Sequence, residues 1–426
     1  MPQFEEAGVF EDGTPYRMTV PADWNGVLVN DLDYVMKAGG DGPQGLGDGS
    51  RALLRRGYAL SGIGRHARRR AEYDPAREID HLLSVLDLFE KCFEPARLRV
   101  QYGSSGGGHV ALAMAELHGD RIAGAAATCA HTPVLTAGQR FDLFLALKTL
   151  LAPNTPNLQF ANLAEYDVET PAAWEKLLLD AVSKPEGRAR IALAFAFVQW
   201  PYWTTDESSN PSGRGDDALS SAMIATALSL PKILPGQFMY ERQGAVVGSV
   251  AAAYDEYWSA ADEGARAFAE RMYDKAKIDL SADLARLAKP ESLSPDRAAM
   301  AHWYQHTART VQGRPTVPVF RMHTTGDGLI AIAQMRVYQD LVDKNGADAF
   351  YRAAVVDRAG HCKFSVGEYV AALEIVMKRI ETGAWPDTSA RSLNAFSATF
   401  DDSGDHRFVE HSIGPYNGSW RLSEPR

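Results

Sequence analysis

The pentapeptide at residues 103–107, Gly-Ser-Ser-Gly-Gly, constrains this chain more than any other feature of its sequence. It stands between an extended run at 98–102 (LRVQY) and a helix-like run at 109–116 (HVALAMAE). A serine on a sharp strand-to-helix turn has a strained backbone, so glycine is needed two residues away on either side. Ser105 meets that condition, whereas Ser104 has a tyrosine on one side. The pattern therefore predicts Ser105 as a nucleophile. Because the chain has 36 glycines, an ordinary glycine-rich turn is the alternative.

The composition limits the partners of this chain. Its 426 residues are 46% hydrophobic and 23% charged, which is typical of a globular protein with room for a large core. A net charge of -10 argues against nucleic acid and anionic membrane surfaces, because both require basic patches. The basic cluster at 65–70 is expected to be a solvated face, and a site for an anionic substrate group is the alternative. We expect a small-molecule substrate, no cofactor and no metal, and homo-oligomerisation stays open.

The sequence also bears on location and redox chemistry. No apolar run has the length of a membrane span, and the N-terminal segment lacks the basic and apolar regions of a signal peptide. We therefore expect a cytoplasmic protein, although a secreted one whose leader had been removed would look the same. Three cysteines, Cys92, Cys129 and Cys362, predict neither a disulfide framework nor a metal site.

Strand-like and helix-like segments alternate in the first part of the chain. Short apolar runs at 27–29 and 58–63 are typical of buried strands, and the apolar spacing at 78–93 is that of an amphipathic helix. From about 135 to 315 the pattern is mainly helical, and a strand pattern returns at 318–323. This alternation predicts an α/β fold, with a mostly parallel sheet that helices cover on both faces.

We divide the chain into three parts on this basis. Residues 1–134 and 316–385 form the predicted α/β core, and 135–315 form an inserted helical cap over it. Residues 386–426 form a C-terminal extension that keeps five large aromatic side chains, so we expect it to be docked rather than disordered.

A serine nucleophile needs a histidine to take its proton and a carboxylate to fix that histidine. Asp327 follows the returning strand, and His361 follows the next strand on a glycine-flanked loop. Both positions lie where the carboxyl ends of parallel strands gather active-site loops. His131 and His323 are rival bases. Each residue also has a structural alternative, because Asp327 could be a turn former and His361 an ordinary loop residue.

With these motifs in place, the chain resembles an α/β-hydrolase-fold serine hydrolase, esterase-like or lipase-like, with a large helical cap. The resemblance covers roughly 15–134 and 316–385 and implies the order nucleophile, acid, histidine. It makes Ser105 the nucleophile, His361 the general base and then acid, and Asp327 the orienting acid.

The expected oxyanion hole departs from that family's pattern. One donor should be the backbone N–H of Gly106, and the second should come from the loop after the strand at 27–29. This loop has no glycine, and alignment by the strand puts the donor N–H at Asp33 or Tyr34. The Tyr34 phenol is a further candidate donor, with a buried pocket wall as its alternative.

The substrate pocket and the reaction are less constrained. Trp200 and Trp203 are the cap aromatics expected to reach the site, beside Ser104 and His131, and the polar loop 206–215 could act as a gate. These aromatics favour an apolar or aromatic substrate. We expect hydrolysis of a carboxylic ester, lactone or thioester through an acyl-enzyme. Acyl transfer and amide or peptide hydrolysis by the same triad are the alternatives, and a non-catalytic ligand-binding protein is the alternative of another class.

Overall fold

A computed structural model describes residues 2–38, 47–64, 73–161, 168–206, 210–211, 213–234, 254–289, 297–418 and 422. The basic cluster predicted at 65–70 lies outside these residues, as does part of the predicted gate loop 206–215. A disulfide joins Cys129 to Cys362, so the prediction of no disulfide was wrong.

The described strands form one mixed, mostly parallel sheet, as predicted. The strands are β1 (Pro2–Val9), β2 (Pro15–Pro21), β3 (Val27–Asp31), β4 (Ala59–Ile63), β5 (Leu98–Ser104), β6 (Gly124–Thr128), β7 (Val319–Gly326), β8 (Tyr351–Ala359) and β9 (Phe408–Val409). Their order across the sheet is β1-β2-β4-β3-β5-β6-β7-β8-β9. Strands β3 to β8 pair in parallel, whereas β1, β2 and β9 pair antiparallel at the two edges.

The helices connect these strands and form the insertion between β6 and β7. Within the described residues they are α1 (Tyr34–Ala38), α2 (Asp48–Arg55), α3 (Pro75–Cys92), α4 (Gly106–Leu117), α5 (Pro133–Leu151), α6 (Glu169–Val182), α7 (Pro185–Phe197), α8 (Asp216–Ser229), α9 (Tyr254–Ala260), α10 (Glu263–Ala276), α11 (Leu280–Leu287), α12 (Arg297–Tyr304), α13 (Ala333–Lys344), α14 (Val366–Thr382) and α15 (Ala390–Ser397). No helix among them is long and apolar enough to cross a membrane.

Each face of the sheet carries its own apolar core. On one face, α3 and α4 bury Leu82 and Met114, and on the other, α2 and α14 bury Leu53 and Leu373. A third cluster lies within the helical insertion, where Trp174 is fully buried. Full burial of one large apolar side chain contributes about 1.5–3 kcal/mol to the free energy of unfolding. Because each layer buries many such side chains, the layers hold the strand ends in fixed relative positions. The boundaries of the cap at 135 and 315 stay a prediction.

The chain after α14 packs back on the core through a buried carboxylate. Glu368, on the first turn of α14, is fully buried and accepts hydrogen bonds from Arg358 Nη2 at 3.1 and 3.2 Å. It also accepts from the backbone N–H groups of Ser365 and Arg407, both at 2.8 Å. Arg358 in turn pairs with Asp405. These bonds join β8, α14 and the C-terminal extension at one point.

Replacement of Glu368 by alanine should destabilise the fold by about 3–5 kcal/mol, because it leaves the Arg358 guanidinium without its buried partner. Urea unfolding followed by circular dichroism measures the loss. Glu381→Ala is the control, since Glu381 lies exposed on the same helix. An equal effect of the two substitutions would contradict the role given to Glu368.

Candidate active site

Ser105 occupies a sharp turn between β5 and α4, as the sequence predicted. Its backbone has φ 57° and ψ -119°, a conformation that costs about 1–3 kcal/mol in a residue other than glycine. A Cβ atom on Gly103 would lie 2.0 Å from the carbonyl oxygen of Gly107, so only glycine fits there. One on Gly107 would lie 3.3 Å from Leu32 Cβ, which is a tight contact. The turn thus presents the serine hydroxyl beyond the end of β5.

His361 and Asp327 complete a hydrogen-bonded chain with Ser105. The distance from His361 Nε2 to Ser105 Oγ is 2.9 Å, and that from His361 Nδ1 to Asp327 Oδ2 is 2.7 Å. Asp327 follows β7 and His361 follows β8, so the three residues come from loops at the carboxyl ends of the parallel strands. The structure therefore brings together the three residues that the sequence singled out.

The carboxylate of Asp327 is fully buried, and neighbouring groups compensate its negative charge. Burial by itself would raise its pKa, but attraction and hydrogen bonding by His361 outweigh that effect, so the pKa lies below its usual value. Asp327 Oδ1 also accepts from the backbone N–H groups of Leu329 and Ile330, at 2.8 and 2.9 Å. An ionised carboxylate can only accept, so His361 Nδ1 carries the proton and Nε2 is left to accept one from Ser105.

The rival histidines are placed elsewhere. His323 is fully buried and donates from Nδ1 to the carbonyl of Thr324 at 2.9 Å, and burial lowers its pKa to about 4. The ring of His131 packs against Tyr73, with 5.4 Å between the ring centroids, and its backbone N–H donates to the Ser105 carbonyl at 3.1 Å. His361 is the imidazole that meets the Ser105 hydroxyl.

Gly106 is held by a phenol that the sequence did not single out. Tyr73 is buried, and its hydroxyl donates to the carbonyl of Gly106 at 2.7 Å. A Cβ on Gly106 would lie 3.2 Å from the Tyr73 ring. Ser104, on the other side of the nucleophile, pairs its hydroxyl with Thr128 Oγ1 at 2.7 Å. Both contacts stiffen the backbone around Ser105.

The loop after β3 is arranged differently from the prediction for the oxyanion hole. The Tyr34 hydroxyl donates to Thr19 Oγ1 at 2.6 Å, and the side chain is 1% exposed within the apolar core. Tyr34 as a phenol donor was therefore wrong, because its hydroxyl is already bonded inside the fold. The Asp33 backbone N–H donates to Asp31 Oδ1 at 3.1 Å, so it too is engaged. A Cβ on Gly107 would lie 3.3 Å from Leu32 Cβ and 3.9 Å from Asp31 Oδ1, so these two residues adjoin the elbow.

Trp200 and Trp203 are the two cap aromatics that the sequence places in the substrate pocket. They line a cavity of about 700 Å³ whose described lining includes none of Ser105, Asp327 and His361. Their place in the substrate pocket stays a prediction. The segment that carries Trp203 runs across the loop of Asp327.

That segment, residues 202–204, is called the strap here. A Cβ on Gly326 would lie 2.1 Å from the carbonyl oxygen of Trp203, and one on Gly328 would lie 2.9 Å from Thr204 Cβ. The strap can therefore pass this close to the loop of Asp327 only because the two residues that flank Asp327 are glycines. Buried Thr226 holds it, since Thr226 Oγ1 accepts from the Thr204 N–H at 3.0 Å and donates to the Tyr202 carbonyl at 2.9 Å.

The disulfide lies directly beside the hydrogen-bonded chain. Cys362 is the residue after His361, and Cys129 follows β6, 233 positions away in sequence and 5.5 Å away between Cα atoms. The Ser105 N–H donates to the carbonyl of Thr128 at 2.9 Å, so the bridge ties the histidine loop to the strand that holds the nucleophile. The Sγ atoms of both cysteines lie close to His361, but a disulfide offers no thiolate to a metal ion.

The sequence analysis missed this bridge, because the signal for it lies in the order of the strands across the sheet. Cys129 follows a strand adjacent to β5, and Cys362 adjoins the predicted base, so both positions fall at the same edge of the sheet. The strand order, rather than the number of cysteines, indicates that Cys129 and Cys362 can pair.

The strand order, the elbow at Ser105 and the two polar loops after β7 and β8 define the α/β-hydrolase fold, and the chain is a hydrolase of that class. No protein-family profile matches it. Among curated proteins, the o-phthalyl amidase of Xanthobacter agilis is 33% identical over 447 aligned positions, covering 98% of this chain and 97% of that protein. The chain therefore belongs to the family of o-phthalyl amidase.

Solved structures are more distant. Feruloyl esterase B from Aspergillus oryzae is 15% identical, with a TM-score of 0.44, and the match covers 90% of this chain and 81% of that one. An esterase from Aspergillus oryzae is 14% identical, with a TM-score of 0.42, and the match covers 89% of this chain and 80% of that one. At these scores neither similarity bears on what this chain acts on.

Replacement of Asp327 by asparagine should lower kcat by about 10³–10⁴-fold, because the amide stabilises the wrong tautomer of His361 and cannot compensate an imidazolium. Steady-state kinetics on any turned-over substrate measures the change. Asp340→Asn, on the exposed part of α13, is the control. Turnover of the Asp327→Asn protein within tenfold of the parent would contradict this assignment.

Loss of the disulfide should reduce both stability and turnover. The double variant Cys129→Ala/Cys362→Ala is expected to lose about 2–5 kcal/mol of unfolding free energy. Its kcat should fall more than its KM changes, since His361 loses a covalent tie while the substrate pocket is intact. Cys92→Ala is the matched control, because Cys92 is an exposed free cysteine. Equal kcat in the double variant and the control would show that the bridge does not position His361.

Proposed function

We propose that this chain is a serine amidase that hydrolyses the amide of an aromatic carboxylic acid through an acyl-enzyme. The observation that carries the catalytic part is the chain of hydrogen bonds from Ser105 Oγ through His361 to Asp327, at 2.9 and 2.7 Å. The choice of an amide rests on kinship with a protein named o-phthalyl amidase, which is similar over nearly the whole length of both chains.

In the proposed reaction, Ser105 Oγ attacks the amide carbonyl while His361 Nε2 takes the hydroxyl proton. The imidazolium that forms is stabilised by Asp327, whose lowered pKa keeps it ionised. His361 then gives the proton to the leaving nitrogen, which departs as an amine and leaves an acyl ester on Ser105. Water activated by the same imidazole hydrolyses that ester and restores the serine.

The tetrahedral intermediates carry a negative oxygen that needs donors. We assign one donor to the backbone N–H of Gly106, at the start of α4, where the helix dipole favours negative charge. We assign the second to the backbone of Leu32, one residue before the predicted position, because the Leu32 side chain lies beside Gly107 of the elbow. Tyr73 supports this hole as a positioning residue, since its hydroxyl fixes the carbonyl of Gly106.

Ester hydrolysis, predicted from the sequence, is the second candidate. The same hydrogen-bonded chain supports it, because an ester passes through the same acyl-enzyme and has the better leaving group. In either case we propose that His131 and Ser104 lie at the wall of the acyl pocket next to Ser105. The disulfide favours the secreted location over the cytoplasmic one, because disulfides persist in oxidising compartments.

A fluorophosphonate probe should label Ser105 in the native protein and fail to label the Ser105→Ala variant. Ser104→Ala should still be labelled, which separates the two serines of the motif. Mass spectrometry of the labelled peptide identifies the site. Labelling of the Ser105→Ala protein at the rate of the parent would remove Ser105 from the mechanism.

Substrate class is tested with three matched compounds that release the same chromogenic amine or its alcohol analogue: a 2-carboxybenzoyl amide, a benzoyl amide and a benzoyl ester. We expect the 2-carboxybenzoyl amide to have the highest kcat/KM, with Ser105→Ala at least about 10³-fold slower. Turnover of the ester alone would replace the amidase proposal by the esterase one.

A further inference from the structure

The peptide that precedes His361 is held by a threonine of the neighbouring strand. Gly360 has φ 101°, in the region that favours glycine, and a glycine has no side chain to fix its peptide planes. Its N–H donates to the carbonyl of Gly326 at 2.8 Å, and its carbonyl accepts from Thr324 Oγ1 at 3.0 Å. The second of these bonds holds the peptide plane that joins Gly360 to His361.

Thr324 is itself held in place on several sides. Its side chain is fully buried, and its backbone pairs with Val356 where β7 and β8 run in parallel. Its carbonyl accepts from His323 Nδ1 at 2.9 Å. A buried β-branched side chain has few accessible rotamers, so the hydroxyl has a fixed position. Thr324 therefore offers a rigid donor to the loop of His361.

A second threonine supplies a natural comparison. The pairing of β7 with β8 shifts in register between Thr324 and Gly326, and such a bulge redirects the chain that follows it. Thr325 lies at this shift, and its hydroxyl donates to Asp357 Oδ1 at 3.0 Å. Two adjacent threonines thus bond from β7 to β8 at equal distances, but only Thr324 is bonded to the peptide of His361.

The imidazole of His361 has to meet two partners at once. Nε2 lies 2.9 Å from Ser105 Oγ, and Nδ1 lies 2.7 Å from Asp327 Oδ2. The disulfide of Cys362 ties the chain on the C-terminal side of His361. A misplacement of reacting groups by about 1 Å can cost about 100-fold in rate. The orientation of the peptide on the N-terminal side therefore bears on proton transfer.

We infer that Thr324 is a positioning residue of the hydrolytic site, whose hydroxyl sets the orientation of His361 through the carbonyl of Gly360. The inference rests on the function proposed above, since it concerns the histidine that takes the proton of Ser105. Thr324 acts through the backbone and not on the reacting atoms. Loss of its hydroxyl therefore slows proton transfer and leaves substrate binding nearly unchanged.

Thr324→Val keeps the shape of the side chain and removes the donor. We expect kcat to fall by about tenfold or more while KM changes by less than about threefold. Thr324→Ser keeps the hydroxyl and should retain kcat within about threefold of the parent. A serine variant as slow as the valine variant would assign the effect to packing and overturn the inference.

Thr325→Val is the matched control, because the bond that it removes ends at Asp357. Its kcat should stay within about threefold of the parent. Equal losses in the two valine variants would overturn the inference, as would parental turnover in Thr324→Val. Circular dichroism checks that each variant is folded. Should Thr324→Val fail to fold, Thr324→Ala takes its place, with the same expected loss relative to Thr324→Ser.

Two measurements separate this inference from the proposed function. The rate of fluorophosphonate labelling at Ser105 needs no knowledge of the substrate, and it should be about tenfold or more slower in Thr324→Val. The low-field proton resonance of His361 Nδ1–H, identified by its absence in His361→Ala, reports the bond to Asp327 without any turnover. It should shift or broaden in Thr324→Val and not in Thr325→Val.

The outcomes of these two measurements are distinct. A parent protein that resists the probe would end the proposed function, while the resonance would still report the position of the histidine ring. A parent that is labelled, with the same labelling rate and the same resonance in Thr324→Val, would overturn the role of Thr324 alone.

Discussion

The burial of one charge, the carboxylate of Asp327, governs the arrangement of the site. A carboxylate removed from water is costly unless hydrogen bonds and an opposite charge compensate it. Here two backbone N–H groups and the imidazole of His361 do so, which fixes the loop after β7 and the ring orientation together. The ring orientation then determines which nitrogen meets Ser105. Ser105, His361 and Asp327 are thus one connected polar network, and each part is costly without the others.

Several close backbone contacts make this network possible. The elbow requires a residue without a side chain at position 103, and the loop of Asp327 requires one at positions 326 and 328. At Gly103 the carbonyl oxygen of Gly107, in the same turn, occupies the space that a Cβ would take, and at Gly326 and Gly328 the distant strap occupies it. The disulfide between Cys129 and Cys362 adds a covalent tie between the loop of His361 and the end of β6, where the carbonyl of Thr128 accepts from the Ser105 N–H.

Local patterns in the sequence predicted the parts of the fold and site that depend on neighbouring residues. The elbow, the parallel sheet and the positions of Asp327 and His361 follow from residue spacing, strand alternation and the edge at which loops gather. The antiparallel β1 and β2 at the sheet edge had no signal strong enough to be recognised.

What could not be predicted depends on contacts between distant segments. The Tyr34 hydroxyl was a plausible donor in sequence, yet it bonds to Thr19 on another strand. The contact of the Trp203 backbone with Gly326, in the loop of Asp327, is likewise invisible in the sequence. The disulfide needed the strand order, which spacing along the chain does not contain.

The strap has a consequence for any attempt to re-engineer this enzyme. Thr204 and Trp203 occupy the space beside Gly326 and Gly328, the two glycines that flank Asp327. The insertion is therefore packed into the loop of Asp327 and cannot be removed as a separate unit. Exchanging it for the insertion of a relative would change the position of Asp327, unless the new insertion carried a threonine that holds the strap as Thr226 does. In this scaffold the insertion and the loop of Asp327 therefore have to be redesigned together.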